Sequence, residues 1–383
     1  MKQMQGENSR QINYLPRLEK VWDWMAQEGV ALVMFEDTEG RRDKNICWLT
    51  GHPGDALFFL SADRKALLVA WDINLAKRYV TEPLVALAAY SEFDRLQQKA
   101  IAGAAERLGV QHGSKIEIPS VTPYPVFLDY VGELTNFDIL CRERSAAAGL
   151  RKYRAVKDGH ETAIYRRAAQ ITNELIDLLE KNVRCGKIKT EADAALFIEL
   201  EARKRGCEGT GFETLAAGPE RSFAIHAFPA YTFAPFGGPG LSILDFGVKL
   251  DSYTTDVTLT FVCDPNPKQE KLVNLVEKAG KLCLSMANNG VLAKDIAASV
   301  DGFFAKSKKQ MPHSLGHGIG LDAHEYPAFR NRSDNEWVLE PGMIFSLEPG
   351  LYDPAAGGCR LENVVLMTET GPEVLTQARI IRL

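Results

Sequence analysis

Two neighbouring segments place charge where the inside of a sheet calls for apolar side chains. LSILDFG (241 to 247) and YTTDVTLTF (253 to 261) both read as strands, rich in β-branched and aromatic residues. The VKLDS stretch between them is short enough for a hairpin. A turn centred between Leu250 and Asp251 sets Asp245 directly opposite Asp256, with Cβ atoms roughly 5 Å apart. Two like charges so placed destabilise a sheet. A cation between them removes the objection, and paired metals about 3.5–4 Å apart fit that space.

A second acidic pair repeats the device. In MIFSLEP, Ile344, Ser346 and Glu348 share one strand face, and in CRLENVVLM, Arg360, Glu362 and Val364 share another. The two acidic strand pairs are candidate halves of an internal structural repeat. His317 sits in a run punctuated by Gly316, Gly318 and Gly320, which lets backbone approach a ligand closely. Four carboxylates and one imidazole suit two divalent cations of the Mn, Co or Zn kind. Four negative charges balance two dications, whereas without metal the carboxylates repel and raise one another's pKa.

Each residue alone has a plainer reading: Asp245 and Asp256 on an exposed sheet face, Glu348 in a turn beside Pro349 and Gly350, Glu362 paired with Arg360. Those readings leave the shared register unexplained. A contact between Arg360 and Glu362 is expected in any case, as support for a ligand. Four of the seven histidines, at 226, 313, 317 and 324, fall in this same region, while His52, His112 and His160 read as surface or loop residues with no function attached.

A chain of 383 residues implies two or three domains. Its 45% apolar and 25% charged residues are those of an ordinary soluble globular protein, and a net charge of −5 gives no reason to expect nucleic acid. No apolar run approaches the roughly 20 residues of a membrane span, and MKQMQGENSR is too polar for a signal peptide. Seven scattered cysteines without a CxxC pair argue against a disulfide framework or a thiolate zinc site. A cytoplasmic protein with reduced thiols is expected.

Along the chain, strands are expected at 45 to 51, 56 to 61 and 65 to 71, with amphipathic helices at 15 to 28 and 93 to 108, an α/β pattern. The character changes around SAAAGLRKYRAVKDGHE. Beyond it Ile164, Ala168, Ile171, Leu175 and Leu178 form one stripe of a long helix. The boundary falls near residue 152, giving domains 1–152 and 153–383. Thr190 caps a second helix to about 205, a third spans 268 to 288, and helices alternating with acidic hairpins make this part α+β.

The stretches FETLAAGPERSFAIHAFP, LDFGVKLDSYTTDVTLTF, HSLGHGIGLDAHEYP, LEPGMIFSLEPGLY and RLENVVLMTETGPEVLT cover most of residues 211 to 377. In this order they resemble the pita-bread metallopeptidases, specifically the Xaa-Pro aminopeptidase and prolidase group. NICWLTG and LRKYRAVKDGHE resemble more loosely the creatinase-type N-terminal domain of that group. The resemblance implies an α+β pita-bread catalytic domain preceded by an α/β creatinase-type domain. Creatinase-like members have lost metal ligands, but this chain keeps all five.

Carried over, Asp245 resembles the ligand chelating one metal, and Asp256 and Glu362 look like the carboxylates bridging both. His317 and Glu348 look like ligands of the second metal, with Glu348 also taking the proton from a metal-bridging water whose hydroxide attacks the peptide. His226, His313 and His324 match histidines lining the substrate pocket, His324 stabilising the tetrahedral intermediate. His226 and Arg360 also count among the catalytic residues.

The implied substrate is a small peptide with proline second, the implied assembly a homodimer, and the implied cofactors two divalent ions, Mn first. Proline has no N–H to recognise, so Phe223, Phe228 and Tyr231 are expected as apolar walls. One position departs from the group. Some prolidases carry an arginine directly after HE-x-P that grips a dipeptide's carboxylate, where this chain has Ala328, followed by Arg330 and Arg332. Arg330 is the candidate substitute. Two other readings stand beside the peptidase: a lyase or amidinohydrolase acting on a small zwitterion, and a non-catalytic module that binds partner proteins.

Overall fold

The computed structural model describes residues 12–383; the polar leader MKQMQGENSR lies outside them. The chain separates into two compact units, Met1–Arg151 and Lys152–Leu383.

The first unit is built on a six-stranded sheet, with strands Leu32–Asp37, Ala56–Ser61 and Ala66–Ala70 at its centre and helix Gln97–Leu108 packed on its buried face. Helix Leu15–Glu28 spans the expected residues, and the helix expected from 93 begins at Gln97 after a 3-10 turn, Tyr90–Phe93. The strand expected at 45 to 51 is instead a helix, Asn45–Thr50. Local capping decides this. The Asp43 carboxylate accepts the Asn45 N–H at 2.8 Å, and Gly51 closes the other end at φ 78° with its N–H on the Cys47 carbonyl. A six-residue apolar run carries no period that separates strand from helix, so its end residues determine the outcome. His52, read as a surface or loop residue, follows that cap and is fully buried; His112 and His160 are exposed.

The second unit carries the long helix Gly159–Arg184, capped by the Asp158 carboxylate on the N–H groups of His160 and Glu161. Thr190 caps helix Glu191–Lys204 through the Asp193 N–H at 3.1 Å. Helices Pro267–Met286 and Ala293–Lys306 pack on a core that includes Val273, Val276, Val300, Phe304, Phe329 and Phe345. Two sheets carry the acidic residues. One orders Ile380–Arg382, Val257–Cys263, Gly240–Phe246 and Leu215–Ala217; the other orders Glu325–Phe329, Gly316–Gly318, Ile344–Leu347, Asn363–Thr368 and Gly371–Val374.

The first acidic hairpin forms, with a shifted register. Asp245 pairs with Thr258, and Leu250 pairs with Tyr253, so the turn is Asp251–Ser252, both at positive φ (46° and 71°). Leucine in that conformation is strained, whereas aspartate and serine tolerate it better, and Leu250 is buried instead. The shift is two residues in pairing, and side chains alternate with period two. Asp256 therefore keeps the face of Asp245, as a diagonal neighbour and not its direct partner.

Serine at φ 71° still carries left-handed strain that glycine lacks. Ser252→Gly completes an Asp-Gly turn and is expected to raise unfolding stability by about 0.5–1 kcal/mol, read from urea denaturation. A loss of stability means that the serine side chain is needed at the turn.

Candidate metal centre

The second acidic pair meets by a different route. Ser346 pairs with Val364 and Gly350 with Arg360 in one common register. Carried across the gap, that register sets Glu348 opposite Glu362. The ladder is open there because both backbones bond elsewhere: the Glu348 N–H donates to the Leu315 carbonyl at 2.8 Å, and the Glu362 N–H to the Thr258 carbonyl at 3.2 Å. Each acidic strand end thus reaches across to the strand carrying His317 or Asp256.

Asp256, His317 and Glu362 come together with one ligand atom each within 4.8 Å of the others. The His317 Nδ1–H donates to the Gly318 carbonyl at 3.1 Å, which leaves Nε2 as the free lone pair. That Nε2 lies 3.7 Å from Asp256 Oδ2 and 3.6 Å from Glu348 Oε1, facing them without a hydrogen bond. Asp245 lies on the same sheet, and its negative charge acts on Asp256, Glu348 and Glu362. Asp256, His317, Glu348 and Glu362 therefore meet in one place, with the charge of Asp245 acting on the three carboxylates.

Arg360 is the buried cation of this cluster. It does not touch Glu362 as expected. Its Nη2 donates to Asp245 Oδ2 at 2.5 Å and its Nε to Thr258 Oγ1 at 2.9 Å, while the Thr258 hydroxyl donates to Glu362 Oε2 at 2.7 Å. Arginine and glutamate are thus linked through a threonine. Arg360 shares the strand face of Glu362 but pairs two residues further along, which brings it alongside Asp245. Its Nη1 donates to the Tyr352 hydroxyl at 2.7 Å and to the Ile225 carbonyl at 3.0 Å, fixing the residue next to His226.

The Tyr352 hydroxyl in turn lies 3.1 Å from His313 Nε2, whose Nδ1–H donates to the Ser314 carbonyl at 2.8 Å. One hydrogen-bonded chain therefore runs from His313 to Asp245. Sequence reasoning missed Thr258 and Tyr352. Thr258 lies two residues from Asp256 on the same strand face, and that parity was the available signal.

Burial, then Glu362 and Asp245, raise the proton affinity of Asp256 well above a normal carboxylate's; burial, then Glu362, do the same for Glu348. Burial lowers His317 and His313 to about 4, so both are neutral imidazoles. Asp245 Oδ1 and Glu362 Oε1 are buried with no hydrogen-bond partner. Orphaned carboxylate oxygens and a free imidazole lone pair are the donor set that divalent cations take, so these residues fit the metals.

His324 stands with its ring 4.1 Å from that of His317. His226 is exposed at the rim, close enough for its charge to depress His313 and His324. Phe223 and Phe228 are 43% and 95% exposed, so neither walls an enclosed pocket; Tyr231 is half-buried. Ala328 is the cross-strand partner of His317. Arg330, exposed two residues on, depresses His317 and His324 by its charge and lines a cleft of about 890 Å³ together with His313 and Lys308.

Residues 163–369 match the family model described as metallopeptidase family M24. The chain belongs to that family. Its likeness within M24 is to the Xaa-Pro aminopeptidase and prolidase group, and its fold is the pita-bread fold with a preceding α/β domain. A Xaa-Pro dipeptidase of Pyrococcus horikoshii is 31% identical over 94% of this chain and 97% of its own length. A putative dipeptidase of Bacillus subtilis is 34% identical over 61% of this chain, a match spanning 63% of that relative. The solved Xaa-Pro dipeptidase of Bacillus anthracis, 22% identical, superposes with a TM-score of 0.83 over 97% of this chain and all of that one, which shows the shared fold.

The pKa of Glu362 is pushed up from 4.5 to about 7, by burial and then by Asp245. The folded protein therefore holds this proton more tightly than the unfolded chain. That contribution to stability is whole below pH 4.5 and lost as pH rises through about 7. In metal-stripped protein, Glu362→Gln is expected to gain stability relative to the native chain as pH rises from about 5 to about 8, read as the difference in melting temperature. A difference that is flat or shrinks over this window contradicts the assignment.

Proposed function

We propose that this M24 chain is a peptidase dependent on two divalent cations, Mn first with Co and Zn as alternatives, that hydrolyses the bond between an N-terminal residue and proline. The observation carrying this reading is the buried meeting of Asp256, His317 and Glu362 beside orphaned oxygens of Asp245 and Glu362. A non-catalytic module has no need of such a costly cluster. The near full-length likeness to a Xaa-Pro dipeptidase favours the peptidase over a lyase or amidinohydrolase.

In this reading Asp245 would hold one cation, His317 and Glu348 the other, and Asp256 and Glu362 would serve both. When bound, the cations supply Lewis-acid polarisation of the scissile carbonyl and a water ionised near neutrality. Glu348, 3.6 Å from His317 Nε2, would accept the water's proton. His324 presents a ring N–H to the developing oxyanion. Arg360 keeps Asp245 in place and, through Tyr352, holds His313 as a neutral wall of the substrate site. The leaving proline is recognised by shape, since it offers no N–H.

A cytoplasmic setting is part of the reading, supported by seven free cysteines. Homodimer assembly is carried over from the group.

Asp256→Ala and Glu362→Ala are each expected to abolish hydrolysis and to lower metal content, because each removes a bridge. Two full equivalents of metal in either purified variant overturns the bridging roles.

Arg330 bears on dipeptidase against aminopeptidase action. The position facing His317 is the methyl of Ala328, and Arg330 follows just beyond the end of that strand, Glu325–Phe329. Arg330→Ala is expected to cut the specificity constant for Xaa-Pro dipeptides about tenfold to hundredfold, the scale of a charge-assisted hydrogen bond. Longer Xaa-Pro peptides, whose carboxylate lies elsewhere, should be nearly indifferent. Equal losses for both make Arg330 structural, and no loss for either favours the aminopeptidase.

A further inference from the structure

A second set of buried charges lies behind the loop that ends at His324. The side chains of Arg154, Lys157 and Glu325 are only 10%, 1% and 8% exposed. Glu325 Oε1 accepts from the Arg154 guanidinium and from the Asp322 N–H, and Lys157 Nζ lies 3.6 Å from Oε2. Arg154 also donates to Asp322 Oδ2 at 2.7 Å, so both ends of the Asp322–Glu325 segment hang on one guanidinium. The loop closes tightly over the carboxylate: a Cβ on Gly320 would lie 2.2 Å from Glu325 Oε1, so any side chain there would push the carboxylate out of this place.

The Gly320 carbonyl is held in turn by the Tyr165 hydroxyl at 3.2 Å and the Thr254 N–H at 3.0 Å. The same loop faces the metal centre. The His317 ring is held by the Gly318 carbonyl at 3.1 Å, and the His324 ring lies 4.1 Å from the His317 ring.

Burying three charges costs desolvation that their pairing barely returns, and apolar side chains of similar volume would be as stabilising. Stability therefore does not account for the arrangement, whereas control of loop geometry does. We infer that Glu325, clamped by Arg154 and Lys157, is a positioning residue that fixes the 319–324 loop and so holds His324 and His317 in their working places. Its catalytic consequence rests on the function proposed above; the placement itself does not.

The test uses full-length Glu325→Gln and Lys157→Met, with two readouts. In metal-reconstituted protein, Glu325→Gln is expected to lower kcat on a Xaa-Pro peptide roughly tenfold to hundredfold with KM within about twofold, as for other groups that orient active-site residues. In metal-free protein labelled with 15N-histidine, the His317 and His324 side-chain resonances should move while those of the exposed His112 and His160 stay. Lys157→Met should show the same pattern in weaker form, and it decides the matter if Glu325→Gln does not fold.

Unmoved His317 and His324 resonances with unchanged kcat overturn the inference. So does a shift of all histidine resonances together, which marks a merely structural role. If the unmutated protein cleaves no Xaa-Pro peptide, the functional reading fails, and the resonances still test the positioning.

Discussion

The guanidinium of Arg360 is the buried cation among four carboxylates, and it cannot balance them. Each of Asp256, Glu348 and Glu362 has its proton affinity raised by burial and by its neighbours, so the metal-free cluster is electrostatically frustrated. The neighbouring elements hold it together nonetheless: a hairpin turned at Asp251–Ser252, a ladder opened between Glu348 and Glu362, and a threonine passing hydrogen bonds from arginine to glutamate. Such a cluster is reasonable only if more positive charge arrives, and its orphaned oxygens are where that charge would bind.

How much of this was legible in the sequence follows from what period two does and does not encode. Side-chain alternation fixes the face on which a residue lies, so the site-facing positions of Asp245, Asp256, Glu348 and Glu362 were readable. It does not fix register. The turn moved by one residue because Leu250 is worth more buried than strained, and direct pairing of the aspartates became diagonal.

The same limit explains Arg360, whose face was legible but whose partner was not. The contact with Asp245 depends on which strand lies beside it, a tertiary fact. Asn45–Thr50 shows the converse, where capping by Asp43 and Gly51 overrides strand-like composition. The clamp on Glu325 was hidden for another reason, since Arg154 lies 171 residues away in sequence.

The residues divide by how firmly they are held. His317, Glu362 and Arg360 are buried and tied at several atoms, as metal-binding chemistry needs. His226, Phe228 and Arg330 stand exposed at the rim. This division accounts for why the family relationship speaks clearly about the metal centre and more coarsely about the substrate. Ala328 places a methyl group opposite His317.

The central claim is that the carboxylate cluster is a two-cation site. Anomalous diffraction from crystals grown with manganese tests it most directly. Two peaks are predicted, both beside Asp256 and Glu362, one completed by Asp245 and the other by His317 and Glu348. A cluster without anomalous density at saturating manganese, or peaks held by other residues, would contradict it.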